Sequence, residues 1–286
     1  MQKLEKLIDG FNLIEGPIWK PELGLVFSDA VDGGVYALSP AGQLSEVFKH
    51  RKGIGGIVSC GSKGLIVSGR NVALKLLDGS KTLVLINQNE SEEVMGFNDM
   101  TTDTLGRIYA GSLGPSGTAA QPGPAVGKLF LIDNDATVRE VASGIRLSNG
   151  LALSADGFTL YHSDSLRGRI FKYSVMLDGS LGDKTLFAKM RKGGPDGLAV
   201  AVDGTVWVAL AGGYGVSVFD STGSEVDFIE ISEPFCTSLC FGDVDRKTLY
   251  IVSGSEGTES RTAGSIYRIR LEVAGALVHD AAIDPG

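Results

Sequence analysis

Three stretches of this chain run in one phase. Asn98-Asp99, Asn149-Gly150 and Asp196-Gly197 each open an apolar segment, and a glycine follows eight positions after the first residue of each, at Gly106, Gly157 and Gly204. Each glycine leads into a second apolar run: Arg107-Ile108-Tyr109, Thr159-Leu160-Tyr161 and Val206-Trp207-Val208. A unit repeated in this way puts its opening residue at the same place in every copy, so the openings gather wherever the copies meet.

The same plan of polar or glycine opening, apolar strand, turn and apolar strand recurs across the chain. It opens at Glu15-Gly16, Gly55-Gly56, Asn98-Asp99, Asn149-Gly150, Asp196-Gly197 and Thr237-Ser238, spaced by roughly 40–50 residues, the range of propeller blades. Third strands follow, as in Lys128-Leu129-Phe130-Leu131-Ile132 and Arg169-Ile170-Phe171-Lys172-Tyr173. Turns such as Ser39-Pro40-Ala41-Gly42 and Asp178-Gly179-Ser180 lead to a fourth. The 40 glycines fit many short strands joined by tight turns, and no stretch sustains a 3.6-residue apolar period. The expected fold is all-β: a six-bladed β-propeller with four-stranded antiparallel blades, forming a single domain over residues 1–286. Ser265-Ile266-Tyr267-Arg268-Ile269 is expected to pair with an N-terminal strand and lock the ring.

In such an architecture the first strand of each unit lines the central axis. Glu15, Asn98, Asn149 and Asp196 then point at a common centre with two carboxylates and two amide carbonyls. That hard, all-oxygen set suits Ca²⁺, Mg²⁺ or Mn²⁺ and accepts Zn²⁺ or Fe²⁺, with water completing the shell. The competing explanation is turn chemistry, because Asn-Gly and Asp-Gly are ordinary turn formers. Three pairs in phase, each preceding a strand rather than joining two, favour the ring.

Other functions find less support. A net charge of −8 with no dense basic patch beyond His50-Arg51-Lys52 and Lys189 to Lys192 argues against nucleic-acid binding. Cys60, Cys236 and Cys240 have no metal-type spacing and make a poor disulfide framework; the last two, four apart, are expected on one strand face as buried thiols. Met1 to Phe11 lacks a secretory apolar core and no apolar run reaches membrane-spanning length, so a cytoplasmic protein without membrane partners is expected. A serine-hydrolase elbow is absent, and His50, His162 and His279 read as packed or exposed side chains.

The motifs Glu15-Gly16-Pro17-Ile18-Trp19, Phe97-Asn98-Asp99, Ser148-Asn149-Gly150-Leu151-Ala152, Pro195-Asp196-Gly197-Leu198-Ala199 and Thr237-Ser238 through Leu249-Tyr250 occur in one order along the whole chain. In this the chain resembles the family of gluconolactonase, regucalcin (senescence marker protein) and luciferin-regenerating enzyme. The resemblance implies one catalytic divalent cation held by Glu15, Asn149 and Asp196, with Asn98 near the metal or the substrate. It also implies hydrolysis of a small-molecule lactone, a sugar lactone or related cyclic ester. The cation would polarise the carbonyl, and Asp196 would activate water as general base or serve purely as a ligand. Asp99 binds substrate or water beside Asn98, or caps its strand. Asp164, paired with Arg167 or Arg169, would support the site from behind.

One position departs from the family pattern. Where its sugar-lactone hydrolases typically carry an arginine that contacts substrate hydroxyls, this chain has Gly96, between Met95 and Phe97. A lost guanidinium removes several fixed donors and leaves a more apolar, roomier wall. The Gly-, Ala- and Pro-rich segment from Leu113 to Gly127 would lie over the channel mouth. The alternatives are a hydrolase of another ester or a phosphotriester, and a non-catalytic metal- or metabolite-binding propeller. The oligomeric state is not encoded in these motifs.

Overall fold

Repetition governs the structure, a computed structural model that describes residues 3–49, 51–62, 64–87, 93–115 and 124–284. His50 and the centre of the segment from Leu113 to Gly127 lie outside the described residues. Four antiparallel sheets of four strands follow one another. The first is β2 (Ile14–Lys20), β3 (Gly24–Asp29), β4 (Val35–Leu38) and β5 (Leu44–Phe48). Next come β6 (Ile57–Cys60), β7 (Gly64–Val67), β8 (Asn71–Leu76) and β9 (Thr82–Asn87). The third contains β10 (Gly96–Thr102), β11 (Ile108–Leu113), β12 (Gly127–Ile132) and β13 (Val138–Ile145), and the fourth β14 (Ser148–Leu153), β15 (Thr159–Asp164), β16 (Arg169–Ser174) and β17 (Thr185–Lys189).

The remaining strands correct the expectation of six separate four-stranded blades. β18 (Gly194–Val200), β19 (Val206–Ala211), β20 (Gly215–Phe219), β21 (Glu225–Glu230), β22 (Phe235–Gly242), β23 (Thr248–Gly254), β24 (Gly264–Arg270) and β1 (Glu5–Phe11) form one eight-stranded sheet. The junction is Ala211, which ends β19 and pairs with Phe235 at the start of β22. The cause is local. Tyr214, at φ 62°, donates its N–H to the Pro234 carbonyl and accepts from Ile231, drawing the start of β22 onto the end of β19. The fold is therefore all-β and propeller-like, with four free-standing blades.

The innermost strands β2, β6, β10, β14, β18 and β22 touch one another in turn, and β22 returns to β2. Strands β3, β7, β11, β19 and β23 are almost wholly buried, and the apolar clusters lie between neighbouring sheets. The phased glycines have a plain conformational role. Gly106, Gly157 and Gly204 have φ of 78°, 77° and 85° and close i to i+3 turns onto Asp103, Ser154 and Ala201. A side chain there would be strained, so the turn favours glycine, although Arg246, at φ 53°, closes the corresponding turn onto Asp243. Among the described residues the helical structure is one 3-10 turn at Ser165–Arg167, and no helix is long and apolar enough to cross a membrane.

Both chain ends brace the ring. As anticipated, the N-terminal strand β1 pairs antiparallel with β24, Glu5 opposite Arg268 and Lys6 opposite Tyr267. Buried Glu233 pins this closure by accepting from Lys6 Nζ at 2.8 Å, Tyr267 Oη at 2.6 Å and Ser265 Oγ at 2.9 Å. The C-terminal tail crosses beneath the channel: Ala276 donates to Val200 and Ala281 to Ser59. Burial pushes the Glu233 carboxyl up, but the hydrogen bonds from Lys6, Tyr267 and Ser265 outweigh it and hold the group below its usual value. Its stabilising contribution is thus present at neutral pH and lost as pH falls through the depressed folded-state value. Glu233→Ala should lower the melting temperature by about 5 °C at pH 7 and by clearly less under acid conditions, measured by calorimetry.

The two thiols expected on one face sit on opposite faces. A register shift between Cys236 and Ser238 inserts a residue into β22 and reverses the side-chain alternation. Cys236 packs with Leu239 and Tyr267, whereas Cys240 packs beside Trp19 and Tyr250.

Candidate functional site

The same irregularity builds the centre of the molecule. Register shifts fall between Glu15 and Ile18 in β2, Phe97 and Met100 in β10, Ser148 and Leu151 in β14, and Pro195 and Leu198 in β18. Each takes a short segment out of the ladder at the phased opening: Gly16-Pro17, Asn98-Asp99, Asn149-Gly150 and Asp196-Gly197. A bulge re-aims side chains that a regular strand would hold against a neighbouring sheet. Bare glycines let the inner strands close up. A Cβ on Gly150 would lie 2.4 Å from the Asp196 carbonyl oxygen, and one on Gly55 would lie 1.9 Å from Asn98 Oδ1.

Glu15, Asp99 and Asp196 are near enough for their charges to repel. Burial, then the charges of Asp196 and Asp99, push the Glu15 carboxyl well above its usual value. Burial and then Asp99 do the same to Asp196, against hydrogen bonds from the Gly197 backbone and the Asn149 side chain. Burial raises Asp99 to about 6 even though both its oxygens accept backbone N–H groups, from Met100 at 2.8 Å and Leu151 at 2.9 Å. Asp99 therefore ties β10 to β14 across the sheet boundary.

Each asparagine amide is anchored through its nitrogen. Asn98 Nδ2 donates to the Ser148 carbonyl at 3.0 Å, and Asn149 Nδ2 to Ser165 Oγ at 3.2 Å. Ser165 in turn donates to the Pro195 carbonyl at 2.6 Å, so Ser165 links the peptide before Asp196 to Asn149. Asp196 is buried, yet among the described residues its Oδ1 has no hydrogen-bond partner. An unpaired carboxylate oxygen in low dielectric is costly unless a cation or donor meets it. Among the described residues no three Asp, Glu, His or Cys side chains form a metal cradle by themselves, so a cation here would also draw on amide oxygens. The uncompensated charge, the orphaned oxygen and the all-oxygen donor set fit a hard divalent cation.

Gly96 opens β10 opposite Leu113, and Phe97 is turned into the core, leaving Met95 as the exposed apolar side chain beside it. Asp164 is fully buried. It accepts from the Arg146 and Leu147 N–H groups and pairs with Arg167 at 2.9 Å. Asp29, which ends β3 as Asp164 ends β15, holds Asn12, Val31 and Asp32 in the same way. The Ser-Asp pair closing both strands is the sequence signal for these supports. Sequence reasoning missed Ser165 and the contact of Ser148 Oγ with His162 Nε2 at 2.7 Å.

A cavity of about 680 Å³ lies along the channel, walled by Ile18, Met100, Leu151, Leu198 and Leu239 and reaching the tail at His279. It meets the ring at Asp99 and Gly16, whereas Glu15, Asn98, Asn149 and Asp196 do not line it.

Residues 13–255 match the family described as SMP-30/Gluconolactonase/LRE-like region. The chain is 30% identical to a 6-deoxy-6-sulfogluconolactonase of Pseudomonas putida over 276 residues, 91% of this chain and 92% of that protein. It is 26% identical to a pentonolactonase of Haloferax volcanii, covering 91% of each. Its fold matches a solved luciferin-regenerating enzyme with a TM-score of 0.86 at 24% identity, over 97% of this chain and 99% of that one.

Proposed function

The chain belongs to the SMP-30/gluconolactonase/LRE-like family, and from that premise we propose that it is a divalent-cation-dependent lactonase acting on a sugar lactone or related cyclic ester. The observation that carries this reading is the trio of buried Asp196 and half-buried Glu15 and Asp99, whose charges repel one another while Asp196 Oδ1 has no hydrogen-bond partner among the described residues. Two similar proteins named as lactonases, one acting on a sulfogluconolactone and one on pentonolactones, support the substrate class.

Glu15, Asn149 and Asp196 would hold the cation, with Asn98 beside it or beside the substrate. When bound, such a cation polarises the lactone carbonyl and offsets the negative charge that grows on its oxygen. Asp196 takes the proton of the attacking water on its open Oδ1, while Asn149 and the Gly197 N–H steady the carboxylate. The water oxygen bonds to the carbonyl carbon, the ring C–O bond breaks, and the freed oxygen takes the proton that Asp196 had accepted. At Gly96, next to exposed Met95, the chain carries no guanidinium to read hydroxyls.

Acid release from a panel of aldono-, alkyl- and aryl-lactones, measured with chelator and then with Mn²⁺, Ca²⁺, Zn²⁺ or Mg²⁺ restored, tests the proposal. At least one lactone should be hydrolysed, with chelation costing about 100-fold or more and a single added cation restoring the rate. Turnover indifferent to chelator, or confined to phosphotriesters, would contradict it.

A further inference from the structure

His162 has no counterpart role in the chemistry above, yet its surroundings are specific. It lies in β15, fully buried, with Nε2 2.7 Å from Ser148 Oγ and Nδ1 without a hydrogen-bond partner among the described residues. Burial pushes its pKa down to about 3, so the ring is neutral. A proton on Nδ1 would be a buried orphan donor, so the favoured tautomer carries it on Nε2 and donates to Ser148 Oγ. Room for this pair comes from the facing sheet: a Cβ on Gly111 would lie 2.1 Å from Ser148 Oγ. Ser148 is the residue that joins the two asparagines. It directly precedes Asn149, and its carbonyl accepts the Asn98 amide at 3.0 Å. The shift in register between Ser148 and Leu151 starts at this residue, where the strand has lost part of its ladder support.

We propose that His162 is a positioning residue: by gripping Ser148 from behind, it fixes the bulged peptide that aims Asn98 and Asn149 at the ring, and so sets the cation affinity of the site. This rests on the reading of the ring as a cation site. Groups that orient metal ligands through one intervening contact commonly govern affinity by one to two orders of magnitude. The hydroxyl and imidazole touch neither cation nor substrate; their effect passes through the Ser148 backbone.

Calorimetric titration of Mn²⁺ into chelator-stripped protein reads this without recourse to turnover. Ser148→Ala and His162→Phe should weaken Mn²⁺ binding about tenfold or more, while His162→Gln, which keeps an N–H donor, should stay within about threefold of the parent. Ser163→Ala, on the other face of the same strand, removes a buried hydroxyl with no partner and should leave the affinity unchanged. Melting curves run alongside separate the two roles. If the Ser148→Ala melting temperature falls while its Mn²⁺ affinity stays within about twofold of the parent, His162 and Ser148 are structural only and the proposal is overturned. Ser148→Ala deletes a single oxygen, so it carries the test even where His162→Phe fails to fold. A parent chain that binds no divalent cation would overturn the ring reading itself, an outcome distinct from a parent that binds while its variants match it.

Discussion

Asp196→Asn is expected to cost lactone turnover about a thousandfold while the protein remains folded. General-base assistance contributes roughly 10²–10⁴ in rate, and an amide of the same shape can neither take the proton of water nor supply a full negative charge. The substitution is nearly isosteric, so the hydrogen bonds of Gly197 and Asn149 to the side-chain oxygen can persist. The loss should fall chiefly on kcat, because the proton transfer belongs to the transition state rather than to substrate binding. Near-normal kcat in Asp196→Asn would remove the base assignment and leave Asp196 a ligand alone.

Glu15→Gln should separate binding from stability in opposite directions. As a direct ligand its carboxylate matters more than any group acting through it, so cation affinity should fall by at least about 100-fold. In the cation-free protein the same change relieves repulsion, because half-buried Glu15 faces the charges of Asp196 and Asp99. The melting temperature without cation should therefore rise by about 2–4 °C, the usual response when a functional cluster is relieved of unfavourable charge. Saturating cation should reverse the order of the two melting temperatures, since only the parent gains from mass action. A variant less stable than the parent in chelator would mean that Glu15 serves packing rather than cation binding.

What depended on phase alone was legible in the sequence. Glu15, Asn98, Asn149 and Asp196 recur at equivalent openings, and the structure brings Glu15, Asp99 and Asp196 within reach of one another's charge. The glycines at 106, 157 and 204 marked hairpins whose left-handed turns the structure contains. What escaped depended on one-residue slips. The bulge at Thr237 put Cys236 and Cys240 on different faces, and a regular alternation cannot reveal it. The join of β19 to β22 hangs on the conformation of Tyr214 and the hydrogen bonds of Pro234 and Ile231, so separate blades were expected where one eight-stranded sheet exists. His162 read as either packed or exposed, and the structure buries it. Its grip on Ser148 follows from the register of β14 on β15, which residue types alone do not specify.

The central claim, that the phased oxygens form one cation site, is tested most directly by crystals soaked in Mn²⁺ and read by anomalous scattering. A single strong peak is expected at about 2.0–2.5 Å from carboxylate oxygens of Glu15 and Asp196 and the amide oxygen of Asn149. A peak elsewhere in the channel, or none at saturating Mn²⁺, would contradict the account.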